Sequence, residues 1–182
     1  MCGIAGFLTL IKTDNPFAIA TRMADAIVHR GPDDAGAWVD EAAGVALAHR
    51  RLSVLDLSPA GHQPMVSASG RYVIAFNGEI YNHLDLRRQL GDRAWRGHSD
   101  TETLLAGFEI WGIEQTLQRA VGMFAIALWG RDTRTLALAL RGLIDNVALR
   151  AEMGRRARKI VLGEFSRERV VAETLAVYQE LT

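Results

Sequence analysis

A single cysteine stands among the 182 residues of this chain. One thiol cannot close an internal disulfide, so a secreted disulfide framework is excluded. Net charge is missing as well: 21 Lys and Arg balance 21 Asp and Glu. Without a basic excess there is no electrostatic footprint for nucleic acid or anionic lipid, and neither is expected as a partner. No uncharged apolar run reaches the ~18 residues of a membrane-span candidate, so no membrane association is expected. The N-terminus lacks the basic region and long apolar core of a signal peptide, which makes cytoplasmic the expected location. His29, His49, His62, His83 and His98 show no zinc-type spacing with a cysteine or with one another. Structural or surface roles are expected for all five, and no metal. There is no Gly-Lys-Ser/Thr phosphate loop, no internal repeat and no low-complexity segment, and "RGPDDAG" is not a nucleotide fingerprint.

What the chain does have is apolar material, 49% of its residues, enough for a core. "GIAGFLTL" reads as a strand. A helix follows in "FAIATRMADAIVHRGP", with Asn15 as N-cap and Pro16 at its first position. Phe17, Ala20, Met23 and Ile27 share one helical face, and Gly31 and Pro32 stop the helix. "GAWVD" and "GVALAHRRLSVLDL" read as strands joined by a turn from Ala42 to Gly44. "SPAGHQP" is loop. "RYVIAFNGEIYN" is a strand running into a glycine turn, and "LDLRRQL" a short helix. In "SDTETLLAGFEIWG", Ser99 and Glu102 have the spacing of a capping box. Leu104, Leu105, Phe108 and Trp111 make the apolar stripe of that helix. "VGMFAIALW" reads as a strand covered on both faces, with "LALAL" as its hairpin partner after the turn "GRDTRT". Beyond Arg141 two Ala/Arg-rich amphipathic helices are expected; Leu149, Met153, Ala157, Ile160 and Val161 line one of them, and Ser166 caps the second. The irregular order of strands and helices points to an α+β layered domain.

The cysteine lies at position 2. Loss of Met1 would leave Cys2 with a free α-amino group of intrinsic pKa about 8. Such a residue carries its own base: the thiol attacks a carbonyl while the amine handles the proton. The competing reading is a small buried thiol in an early strand. Attack on an amide needs donors for the developing oxyanion. Asn77 offers a side-chain amide and Gly78 an unobstructed backbone N–H, although an Asn-Gly pair also suits a plain turn. An amino-acid substrate needs grips for its charged head. Arg51 or its neighbour Arg50 could fork onto a carboxylate, and alternation does not say which. Glu79 and Asp100 could hold an ammonium; taken singly, each is better explained as a solvated surface charge or, for Asp100, as a helix N-terminus charge.

Six segments in collinear order, "MCGIAGF", "HRGPDDAG", "LAHRRLSVLDLSPAGHQPM", "FNGEIYNH", "HSDTETLL" and "GMFAIALW", resemble the class II glutamine amidotransferase domain. The wording of "HRGPD", "GHQPM" and "NGEIYN" resembles the N-terminal domain of glutamine-hydrolysing asparagine synthetases. The resemblance implies Cys2 as nucleophile toward the side-chain amide of L-glutamine, releasing ammonia and leaving a thioester for water. It implies Asn77 and Gly78 as the oxyanion hole, and Arg51 rather than Arg50 on the carboxylate. Leu52 to Leu55 would line the pocket, with Glu79 and Asp100 on the amine. The implied fold is a four-layer α-β-β-α sandwich of the N-terminal-nucleophile hydrolase kind.

After "GRDTRTLALAL" the resemblance stops, so the expectation is an incomplete glutaminase-like domain over residues 1–140. The tail, 141–182, resembles the C-terminal helices of group 4 glycosyltransferases and carries no sugar-nucleotide site. No pyrophosphate loop of the ATP-using synthetase domain occurs. ATP and Mg²⁺ belong with that domain, and the glutaminase half-reaction is expected to need no cofactor. A separate synthetase subunit or a homodimer is the expected partner. The alternative is a non-catalytic truncated remnant that binds glutamine or a partner protein.

Overall fold

A computed structural model describes residues 2–134. The expected strand "LALAL", the boundary near residue 140 and both tail helices lie outside the described residues. The elements run β1 (Gly3–Leu8), α1 (Pro16–Asp25), β2 (Asp34–Asp40), β3 (Val45–Arg51), β4 (Met65–Val66), β5 (Tyr72–Ile80), α2 (His83–Leu90), α3 (Asp100–Ile110), α4 (Ile113–Arg119) and β6 (Gly122–Gly130). The architecture is α+β. Two antiparallel three-stranded sheets form, ordered β1-β3-β2 and β4-β5-β6. Among the described residues no helix is long and apolar enough to cross a membrane.

Strand alternation explains the packing, because successive side chains leave a strand on opposite faces. On β3, Ala46 and Ala48 face α1 and pack on Ala20 and Ala24. The intervening Val45 and Leu47 pack instead with Val73 of β5 and Trp129 of β6. Trp129 is fully buried and its indole N–H reaches Asp40 Oδ2 at 3.2 Å, which ties β6 to the end of β2. On β5, Tyr72, Ile74 and Phe76 turn the other way, into a core with Leu104, Leu105 and Phe108 of α3. Asn77 shares the alternation of Val73, so it leaves β5 on the side of the β1-β3-β2 sheet.

Helix α1 begins as its sequence implies. Pro16 opens it, and Asn15 Oδ1 accepts the Ala18 N–H at 3.1 Å. Its buried face is the expected one only at Ala20. Phe17 is 54% exposed and Met23 38%, whereas Ala20 and Ala24 are shut in. The sheet surface beneath is alanine, and only a small-residue face lets the helix settle there. The helix also ends at Asp25, and Val28–Arg30 tightens into a 3₁₀ turn.

Four further expectations are corrected. The β3 segment leaves the sheet at Arg51; residues 52–58 form a loop, with Val54 and Leu57 turned to solvent. The Asn-Gly pair is not a turn. β5 runs straight through it to Ile80, with Asn77 opposite Ala125 and Gly78 opposite Phe124. A Cβ at Gly78 would strike the Met123 carbonyl and come within 2.5 Å of Phe124 Cα, so glycine here serves close strand approach. Strand β6 is not covered on both faces among the described residues: Met123 is 57% exposed, and β5 is its one paired neighbour. The capping box is half made. Ser99 Oγ accepts the Glu102 N–H at 3.2 Å. The Glu102 carboxylate turns instead to the N–H groups of Arg96 (2.7 Å) and Gly97 (3.1 Å) and to Arg87 (2.9 Å). The short pair β4 and the helix α4 are not anticipated by the sequence pattern.

Candidate active site

The start of β1 lies beside the end of β3, because Gly3 pairs with Arg50. That register sets Cys2 against Leu52. The Leu52 N–H points at Cys2 Sγ at 3.4 Å, and the thiol lies 3.7 Å from the Leu52 carbonyl. Arg30 fixes the same residue from behind, donating Nε–H to the Cys2 carbonyl at 3.0 Å.

Alternation separates the two neighbouring arginines. Arg50 points to α1, where it pairs with Asp25 and donates to the Ala24 carbonyl at 3.4 Å. Arg51 points the other way and is 7% exposed. Its Nη2 donates to the Leu55 carbonyl at 3.0 Å and to the Asp56 carbonyl. Among the described residues no carboxylate pairs with it. A buried guanidinium whose charge is met by backbone carbonyls alone is suited to an anionic ligand.

The opposite wall comes from β5 and α3. Asn77, Gly78 and Glu79 are consecutive on the strand. Asp100 opens α3, almost fully buried, and locks onto the same strand: Oδ2 accepts the Ile80 N–H at 2.9 Å. Oδ1 accepts the Thr101 N–H at 2.8 Å. A carboxylate has about four lone-pair sites, so Asp100 keeps capacity for a further donor. Cys2, Arg51, Leu52, Leu55, Asn77, Gly78, Glu79 and Asp100 all line one cavity of about 300 Å³. That volume lies at the lower end of small-molecule sites.

Val54, within the expected Leu52 to Leu55 stretch, lines the cavity too, and so do residues that sequence reasoning missed: Gly61, Gln63, Phe76, Tyr81, Ser99, Thr101 and Met123. Val54, Phe76, Tyr81 and Met123 supply apolar wall. Gln63 organises β5 where the two-residue β4 gives out. Its Oε1 accepts the Phe76 N–H at 2.6 Å, and its Nε2 donates to Thr101 Oγ1 at 3.4 Å. The fully buried His49 takes the other backbone group, 2.9 Å from Nε2 to the Phe76 carbonyl. Since a carbonyl only accepts, Nε2 carries the proton. Burial lowers the pKa of His49 to about 4, against the help of the Phe76 bond, so the ring is neutral. "GHQPM" and "LAHRR" held these two residues in plain view, but no spacing rule marks a side chain that works by holding a distant backbone.

Comparison with known proteins gives the family of the chain. Residues 1–143 match the family model described as a glutamine amidotransferase domain. A Mycobacterium bovis protein with the provisional name asparagine synthetase [glutamine-hydrolyzing] is 42% identical over 76% of this chain and 24% of its own length. Asparagine synthetase B [glutamine-hydrolyzing] of Escherichia coli is 42% identical over 72% of this chain and 24% of its own. Asparagine synthetase [glutamine-hydrolyzing] 2 of Bacillus subtilis is 38% identical over 76% of this chain and 18% of its own. The chain thus spans a quarter or less of the length of these relatives.

Proposed function

The chain belongs to the glutamine amidotransferase domain family, and from that premise we propose that its cavity hydrolyses L-glutamine to glutamate and ammonia. The observation that carries this reading is the convergence of the only thiol, the unpaired Arg51, the Asn77-Gly78 corner and the Asp100 carboxylate on one cavity. Removal of Met1 frees the Cys2 amine. That amine takes the thiol proton as Sγ bonds to the side-chain carbonyl carbon of glutamine. The Asn77 amide and the Gly78 N–H donate to the resulting oxyanion. Collapse breaks the C–N bond, the ammonium returns its proton to the departing nitrogen, and ammonia leaves. Water then adds to the thioester and releases glutamate and the thiol. Arg51 holds the α-carboxylate, Glu79 and Asp100 the α-ammonium, and Leu52 and Leu55 shape the wall.

Nucleophile, base and oxyanion donors are all groups of the chain, so the half-reaction calls for no metal or organic cofactor. The relatives' names support glutamine as nitrogen donor and asparagine formation as the use of the ammonia. The proposed partner is a separate synthetase subunit, which would receive the ammonia, or a second copy of the chain in a homodimer. We also propose that the two sheets stack between helical layers as an α-β-β-α sandwich. The separate cores of α1 on the first sheet, sheet on sheet, and α3 on the second support that reading.

The test is glutamate release by protein of known N-terminus. Active protein is one methionine lighter than the translated chain by intact mass, and Cys2→Ala loses at least ~1000-fold in rate with its melting temperature unchanged. Activity in protein that retains Met1, or in the alanine variant, overturns the mechanism.

A further inference from the structure

We propose that Asp56 is a positioning residue that sets the span between the Arg51 guanidinium and the Asp100 carboxylate. The proposal rests on the glutaminase reading above. It starts from the fact that the two grips come from different parts of the chain: Arg51 ends β3, and Asp100 opens α3. The charged head of an α-amino acid is rigid and small, since carboxylate and ammonium hang on the same carbon. A site that holds both ends must keep its two grips at a fixed separation.

Asp56 is the residue that touches both sides. Its main-chain carbonyl accepts from Arg51 Nη2. Its side-chain Oδ2 accepts the N–H of His98 at 2.6 Å, two residues before Asp100 and next to Ser99, the N-cap of α3. The other oxygen, Oδ1, takes the N–H of Ser58 at 3.1 Å and its hydroxyl at 2.5 Å, which closes the loop on itself. Asp56 adopts φ 50°, a left-handed conformation that aspartate tolerates better than most side chains. That conformation lets the carbonyl face Arg51 while the carboxylate faces α3.

The fit around the carboxylate is close. A Cβ at Gly97 would strike Asp56 Oδ2 and approach Ala60 Cβ to 2.8 Å, so the segment before α3 presses directly on the carboxylate. Partial burial raises the pKa of the Asp56 carboxyl, but bonds from Ser58 and His98 outweigh it and hold the group below the usual carboxylate range. Asp56 is therefore charged at neutral pH, and it accepts from three N–H and O–H donors. It does not line the cavity. Its influence on a ligand passes through Arg51 and through the start of α3.

Two alkylating probes of Cys2 separate positioning from general damage. One is iodoacetamide, which has no amino-acid head. The other is a diazoketone analogue of glutamine with an intact α-carboxylate and α-ammonium. In Asp56→Asn the amide cannot accept from both His98 and Ser58. The expected result is iodoacetamide labelling within twofold of wild type, analogue labelling slowed at least tenfold, and a glutamine KM raised tenfold or more at little cost in kcat. Ser58→Ala, which removes one donor at an exposed position, gives the same selectivity to a smaller degree and stands in if Asp56→Asn fails to fold. Equal slowing of both probes, or no slowing of the analogue, overturns the proposal. Failure of the wild type to prefer the analogue over iodoacetamide is a different result: it overturns the glutaminase reading and this inference with it.

Discussion

Helix α1 meets its sheet with alanine against alanine, while α3 meets the other sheet with leucine and phenylalanine against tyrosine, isoleucine and phenylalanine. The two interfaces do different jobs. Small residues bring α1 close to β3 and let Arg50 reach past the helix end to Asp25, a cation set where the helix dipole favours one. Large residues make the second interface the main reservoir of buried apolar area, and it is the one beneath the strand that carries Asn77 and Gly78. The thiol hangs on the lightly anchored sheet, whereas the proposed oxyanion donors sit on the heavily anchored one.

The largest expected effect comes from cutting the heavy interface. Phe108 is 1% exposed and meets Tyr72 edge to face, with ring centroids 6.3 Å apart. Phe108→Ala removes that contact and leaves a cavity, for a loss of ~3–5 kcal/mol by urea denaturation. A loss below ~1 kcal/mol would break the comparison, because α3 would then be no better anchored than α1.

The next effect tests the joint between the sheets. His49 on β3 bonds the Phe76 carbonyl of β5, and its pKa falls from 6.5 to about 4 on folding because it is buried. The unfolded chain therefore takes up a proton at pH values where the folded chain refuses it. Stability from this group is complete above pH 6.5 and falls by ~3 kcal/mol as the pH drops to about 4. Asp56 and Glu109, whose pKa values are lowered, begin to lose their share as the pH falls through the ordinary carboxylate range, so the part of the window above about pH 5 belongs to His49. Urea midpoints between about pH 7 and pH 5 should show the slope in the parent chain and a nearly flat profile in His49→Gln. A slope that survives the substitution would assign the effect to another group.

Much of this was legible in the sequence, and the failures share a cause. Strands β1, β2, β3, β5 and β6, helix α2, the α3 stripe and the Asn15 cap follow from local periodicity and local chemistry. The cavity residues Cys2, Arg51, Asn77, Gly78, Glu79 and Asp100 stand in recognisable segments. What could not be read locally was decided by distant partners. "NG" signals a turn until β6 presents a backbone close enough to require a glycine within the strand. "LSVLDL" signals a strand until Asp33 takes the Ser53 N–H at 2.8 Å and Arg51 draws in the carbonyls of Leu55 and Asp56. Gln63, His49 and Asp56 stayed hidden because each acts on backbone far along the chain.

The face of α1 is where this lesson carries its own test, with the smallest effects of the set. Large apolar residues drew the eye to Phe17 and Met23, but a helix buries the face its partner has room for. Ala24 is 2% exposed and packs with Ala20, Ala46 and Ala48. Ala24→Leu adds three carbons where there is space for none, so the helix must lift from the sheet at a cost of ~1–3 kcal/mol. Phe17→Ala removes a far larger side chain, yet one already 54% exposed, and should stay within ~0.5 kcal/mol of the parent. Lifting α1 also pulls on Arg30, which holds the Cys2 carbonyl just beyond the helix end. Ala24→Leu should therefore change the iodoacetamide reactivity of Cys2, and Phe17→Ala should not. If Phe17→Ala proves the more damaging of the two, α1 rests on the sheet by its large residues, and the contrast between the light and heavy interfaces fails.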